Sequence, residues 1–206
     1  MAPQERMTHR DGALLIIDAQ DKLLALIDEG PLVVANAVRL VRAAQELGIP
    51  YWATEQYPRG LGPTTAVLTE LIPHRPAKTM FHCCAVPEIV EQLHGRKVRH
   101  VTLAGIEAHV CVAQTALELL KMGFRTLVPA DAVASRSRMD WEFALRRLEH
   151  AGAVVTTTEA ILFEWVECSD SPHFKAISAL VKDFVPPPGA ASSTKDSRRA
   201  DPSASR

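Results

Sequence analysis

Three side chains of complementary chemistry stand at or near the carboxyl ends of three separate strand-like runs: Asp18, Lys78 and Cys111. Cys111 is the most telling of them. Val98–Ala104 before it reads as a buried strand, and Val112–Met122 after it has helical periodicity, so a thiol sits where a strand gives way to a helix. The unpaired N–H groups and dipole of a helix N-terminus favour a thiolate there. In an open α/β sheet, residues at strand carboxyl ends converge on one crevice. A thiol that attacks a carbonyl needs a cation, a base and an oxyanion site. Lys78 offers the cation, Asp18 the base, and the backbone N–H groups at the helix start the oxyanion site.

Taken singly, each residue also has an ordinary explanation. Asp18 is suited to capping a helix that begins near Gln20. Lysines usually lie on the solvated surface, and a free cysteine packs as a small hydrophobe. The adjacent Cys83 and Cys84 would form a strained disulfide and read as packing residues.

The elements that must position these residues alternate between two periods. Ala13–Ile17 is a short apolar run of the kind found in a central parallel strand. Pro50–Thr54, Ala77–Met80, Val98–Ala104, Phe124–Val128 and Ala153–Thr156 read as further strands. Helices are predicted over 32–47, 86–94, 112–122, 139–150 and 172–184, with a weaker one up to Leu71 and an irregular loop over 57–65. Such alternation means βαβ units, hence an α/β fold: a three-layer αβα sandwich of Rossmann type around a six-stranded parallel sheet.

Bulk properties narrow the function classes. The 206 residues suit one domain with a full core, here 12–184, preceded by an N-terminal extension (1–11) and followed by a tail (185–206). From Pro186 onward the tail is rich in Pro, Ser, Ala and Arg and is expected to be disordered. A net charge of -1 gives a nucleic acid nothing to bind in bulk. No apolar run approaches the roughly 18 residues a membrane helix needs, and the polar N-terminus, with no apolar h-region, argues against a secretory signal. Four cysteines without a CxxC pair fit a reducing compartment, so a cytoplasmic location is expected.

Over roughly 12–180, the chain resembles the isochorismatase-like cysteine hydrolase superfamily. Leu15-Ile16-Ile17-Asp18-Ala19-Gln20 is similar to that family's apolar strand and D-x-Q, Pro76–Phe81 to its lysine strand, and Gly105–Val112 to its run ending in Cys-Val. The resemblance implies that Asp18 is the general acid/base, Lys78 the catalytic lysine and Cys111 the nucleophile. It further implies a cis peptide between Ile106 and Glu107, which aims the N–H groups of Glu107 and Cys111 at one oxyanion. Gln20, Tyr57, Phe81 and His109 are the residues expected to line the substrate pocket, as amide and apolar groups commonly do.

Departures from the family pattern refine the expectation. Nicotinamidase-type members carry a metal-binding Asp-x-His after the second strand. The corresponding stretch here, 54–62, has no histidine and one carboxylate, too few ligands for zinc. Neither metal nor cofactor is therefore expected. The Gly-Ile-Glu-x-His-Val-Cys variant and the Glu-Gln-Tyr-Pro loop resemble the isochorismatase domain-containing branch. The implied activity is hydrolysis of a small amide or related C–N bond through a thioester on Cys111, in a homo-oligomer. Two other readings stay open: a non-catalytic or redox-sensing member of the fold, and a metal-assisted amidohydrolase of nicotinamidase type.

Overall fold

The computed structural model of the chain describes residues 6–188. Its central strand is β1 (Gly12–Ile17), buried at every position. Ala13, Leu15 and Ile17 enter one core, whereas Leu14 and Ile16 enter the other, as a strand covered on both faces requires. Around it lie β2 (Tyr51–Gln56), β3 (Ala77–Lys78), β4 (His100–Ile106), β5 (Arg125–Pro129), β6 (Val133–Ala134) and β7 (Val154–Thr156). Every pairing is parallel, in the order β3-β2-β1-β4-β5-β7, with β6 beside β4. The sheet thus has seven strands rather than six. The additional one, only two residues long, arises because β4 changes partner along its length. Residues 100–102 pair with β5, and Gly105 and Ile106 pair with β6.

The helices are α1 (Asp21–Leu24), α2 (Gly30–Leu47), α3 (Pro58–Leu61), α4 (Ala66–Leu71), α5 (Pro87–Gly95), α6 (Ala113–Lys121), α7 (Arg138–His150), α8 (Thr158–Val166) and α9 (Phe174–Lys182). Leu40 of α2, Leu68 of α4, Trp165 of α8 and Ile177 of α9 cover the Leu14 face. Leu93 of α5, Leu119 of α6 and Leu148 of α7 cover the Leu15 face. Each such side chain, fully buried, contributes about 1.5–3 kcal/mol. The three-layer architecture is as expected. Helix α8 is an addition, α1 is a short helix where the sequence allows one beginning near Gln20 as an alternative, and α3 forms one turn inside the segment read as an irregular loop.

Of the described residues before β1, one is anchored in the core. Met7 is 1% exposed, packs in the Leu14 core, and donates its N–H to Glu164 Oε2. One apolar residue anchoring a polar segment leaves no periodicity to read. Of the tail, residues 185–188 have no secondary structure and the rest lies outside the described residues.

Strand order reverses between β1 and β4, since the chain steps outward through β2 and β3 and then returns to the other side of β1. That reversal is the topological switch point, where open α/β sheets form their ligand crevice. Asp18 follows β1 directly, and Cys111 lies five residues beyond β4.

Candidate functional site

Asp18 adopts φ 50, which turns the chain out of β1, and its side chain is fully buried. Residues of this type tolerate that region better than most. Asp18 caps no helix: α1 has Gln20 at its N-cap with no side-chain cap bond. Instead, both carboxylate oxygens turn into the sheet edge. Thr54 Oγ1 donates to Oδ1 at 2.8 Å, and Lys78 Nζ donates to Oδ2 at 2.7 Å.

Lys78 is 5% exposed, contrary to the usual fate of lysine. Its ammonium has three donors, and all three are used. Besides Asp18 they reach Gln56 Oε1 at 2.7 Å and the Phe81 carbonyl at 3.0 Å. Gln56 is in turn fixed by donating Nε2 to the Thr79 carbonyl at 2.9 Å. A buried charge pair is tolerable only when its remaining hydrogen-bonding capacity is met, and here it is.

Cys111 lies in a π-helical turn, Ala108–Val112, whose N–H groups at Val110 and Val112 both donate to the Glu107 carbonyl. Such turns recur at functional sites. The Ile106–Glu107 peptide is cis, as the family pattern implied. Cys111 is 6% exposed, in the same core as Ile17, the residue before Asp18. Burial and then the charge of Asp18 push the thiol upward from its ordinary value, while Lys78 opposes them without prevailing. This corrects the expectation of a thiolate favoured by the helix start and a neighbouring cation. The ammonium is shared among three acceptors, and burial with the charge of Asp18 outweighs it at the thiol, which favours the S–H form.

The remaining candidates divide. Gln20 does not line the cleft: it is fully buried, its Oε1 accepts the Gln56 N–H at 2.8 Å, and its Nε2 donates to the carbonyls of Gln56 and Gly62. It brackets the loop after β2 against the end of β1. Glu107 fastens to Arg136, accepting its backbone N–H at 3.0 Å and its Nε at 3.2 Å. His109 Nδ1 lies 2.9 Å from Ser135 Oγ, so the same β6–α7 connection holds both. Tyr57 and Phe81 are half exposed, as is Met80. A cavity of about 490 Å³ runs past Tyr57, Arg59, Lys78, Met80 and Val86, although Asp18 and Cys111 do not line it.

Two contributors escaped sequence reasoning, Thr54 and Gln56. A threonine in a strand is unremarkable, and its meaning emerges only from the register that sets Ile17 beside Thr54. Gln56 had a signal: a lysine at a strand end that is buried must find acceptors, and an amide ending the adjacent strand is one. The two polar residues that end β2 are committed to other partners. Glu55 accepts from Thr64 and Arg75, and Gln56 serves Lys78. Among the described residues no group of three or more His, Cys, Asp or Glu could hold a metal ion.

A buried carboxylate–ammonium pair beside a thiol, at the switch point of a parallel sheet, defines an isochorismatase-like α/β protein. The isochorismatase domain matches residues 12–160, and the chain belongs to that family. Isochorismatase domain-containing protein 2 of Danio rerio is 39% identical over 191 residues, 92% of this chain and 96% of that protein. A solved structure named MAR1 ribonuclease, from Caenorhabditis elegans, superimposes with a TM-score of 0.82 at 40% identity, covering 89% of this chain and 95% of that one. The YcaC gene product of Escherichia coli, described as an octameric hydrolase of unknown specificity, shares the fold with a TM-score of 0.80 at 23% identity, covering 90% and 94%.

Proposed function

We propose that this chain is a cysteine hydrolase that cleaves a small amide or related C–N bond through a thioester on Cys111. The observation that carries the reading is the buried Lys78–Asp18 pair, 2.7 Å apart, whose carboxylate charge also acts on the Cys111 thiol. Asp18 accepts the thiol proton as sulfur attacks the substrate carbonyl, and the carbonyl oxygen takes the negative charge. The N–H groups of Glu107 and Cys111 receive that oxyanion. Collapse breaks the C–N bond, and Asp18 passes its proton to the departing nitrogen. Water then attacks the thioester and leaves a proton on Asp18. Cleavage of the C–S bond releases the acid, and that proton returns to sulfur.

Lys78 donates no proton in this scheme. Its charge compensates Asp18 while Asp18 changes protonation state. Half-exposed Tyr57, Phe81 and Met80 supply an apolar rim for a small molecule. A homo-oligomer is part of the proposal, on the precedent of the octameric YcaC product.

A redox-sensing role would need a thiolate for peroxide to oxidise, and burial and the charge of Asp18 push the Cys111 thiol upward. The neighbour named as a ribonuclease raises RNA as a substrate, and the net charge of -1 gives it little support. Incubation with a panel of primary and secondary amides, read by intact mass, tests the proposal. A Cys111 acyl adduct and turnover abolished by Cys111→Ala are expected. Turnover that survives Cys111→Ala, or cleavage of RNA that Cys111→Ala abolishes while no amide is cleaved, would overturn it.

A further inference from the structure

The site contains a second thiol that the proposed chemistry leaves idle. Cys83 opens a short 3-10 turn, Cys83–Ala85, and is fully buried. Its surroundings push it up to about 11, chiefly through burial and then through Asp18, so it stays an S–H donor across the neutral range. Cys83 Sγ lies 3.4 Å from Thr54 Oγ1. The Thr54 hydroxyl has one proton, and that proton goes to Asp18 Oδ1. Thr54 must therefore accept from Cys83, which fixes the sense of the chain: Cys83 S–H to Thr54, Thr54 O–H to Asp18.

The backbone of Cys83 points toward the nucleophile by a different route. Its N–H donates to Thr115 Oγ1 at 3.0 Å, and the Thr115 hydroxyl donates to the Cys111 carbonyl at 2.6 Å. Two residues earlier, the Phe81 carbonyl takes the third proton of Lys78. A stretch of three residues thus touches the immediate supports of all three reacting groups. All of Cys83, Thr54 and Thr115 are fully buried, so water does not compete for these bonds.

We propose that Cys83 is a positioning residue that holds Asp18 through Thr54 and Cys111 through Thr115, keeping base and nucleophile in register. Thr54 is the arm through which it acts on the base. The inference rests on the reading of Asp18 and Cys111 as base and nucleophile. It assigns the second thiol a structural donor role in place of a redox one. Cys84 serves as an internal control: it neighbours Cys83 and is also pushed up, to about 12, but it bonds to neither Thr54 nor Thr115.

The test follows chloroacetamide alkylation of Cys111 at pH 7.5 on the full chain, with site-resolved mass spectrometry. The step forms a Cys111 S–C bond, expels chloride and passes the thiol proton to Asp18, so it needs no identified substrate. Cys83→Ala and Thr54→Val are each expected to slow alkylation, Thr54→Val about tenfold, and Cys83→Ser and Thr54→Ser to restore it, with Cys84→Ala at the wild-type rate. In an Asp18→Asn background, which itself slows alkylation, Thr54→Val should add nothing, because its effect passes through the carboxylate. Thr115→Val should slow alkylation in either background, since that arm reaches Cys111 directly. A wild-type rate in Cys83→Ala or Thr54→Val, or an undiminished Thr54→Val effect in the Asp18→Asn background, would refute the positioning role. If Asp18→Asn itself leaves the rate unchanged, the underlying assignment of Asp18 as base fails instead.

Discussion

Replacing Gly105 with alanine puts the geometry of the switch point to a quantitative test. Gly105 lies near the end of β4 at φ +121 and pairs with Ile17. A Cβ there would stand 2.1 Å from the Ile17 carbonyl oxygen and 2.7 Å from its nitrogen. Both are backbone atoms of the central strand, so nothing can rotate aside. Relief to beyond 3.0 Å requires β1 and β4 to part by about 1 Å where they flank the site. The unfavourable φ alone costs roughly 1–2 kcal/mol, and two weakened ladder bonds cost about 1 kcal/mol each. With packing lost on both faces, Gly105→Ala should destabilise the fold by about 3–5 kcal/mol. Gly48 provides the comparison, since it has φ +68 and no atom within 4 Å of an added Cβ, so Gly48→Ala carries only the conformational cost of about 1–2 kcal/mol. Urea denaturation of both variants, with the slope held as a check on two-state behaviour, measures the difference. Equal losses in the two would show that the strands part freely, and the account of a rigid switch point would be wrong. Because Asp18 follows Ile17 directly, Gly105→Ala should also slow Cys111 alkylation, whereas Gly48→Ala should not.

Two other outcomes follow from the buried charges and thiols. Lys78→Met leaves the Asp18 carboxylate buried without its cation and should cost about 3–5 kcal/mol, most of it recovered by adding Asp18→Asn; a Lys78→Met chain as stable as wild type in urea would contradict the charged pair. Cys83 is raised from 9.0 to about 11, so the stability it contributes is fully present below pH 9 and is lost as pH rises through about 11. The stability gap between wild type and Cys83→Ala should therefore narrow above pH 9, by up to about 3 kcal/mol, and a gap that stays constant to pH 11 would contradict the burial argument.

What the sequence disclosed, and what it hid, follows from the range over which each signal acts. β1 and β4 are apolar throughout and announce themselves locally, as does a cysteine between a strand and a helix. Helix α8 does not: beside the buried Ile161, Leu162, Trp165 and Val166 it carries Ala160 and a 40% exposed Phe163, so the apolar run is almost unbroken and the 3.6-residue period is blurred. β6 exists only because β4 abandons β5, an event decided between distant segments. Met7 is a single buried side chain in a polar stretch. Within the site, the residue types of Asp18, Lys78 and Cys111 were informative, but the protonation state of the thiol was not. That state depends on how many acceptors share the ammonium and on how deeply the sulfur is buried, and both are properties of the assembled sheet. Gln20 illustrates the same limit, since an amide that lines a pocket and one that staples a loop have the same sequence.

Lys78 has a consequence for how such a site changes its substrate. With every N–H committed to Asp18, Gln56 and Phe81, the ammonium has no bond left to offer a visiting molecule. It acts as a fixed field, sealed into the scaffold and indifferent to what occupies the crevice. In the proposed hydrolase, selectivity would then fall to half-exposed residues such as Tyr57, Met80 and Phe81, whose side chains take no part in the buried Asp18–Lys78 pair. A chain built this way can exchange one small molecule for another by altering its rim, while the machinery beneath keeps the same settings.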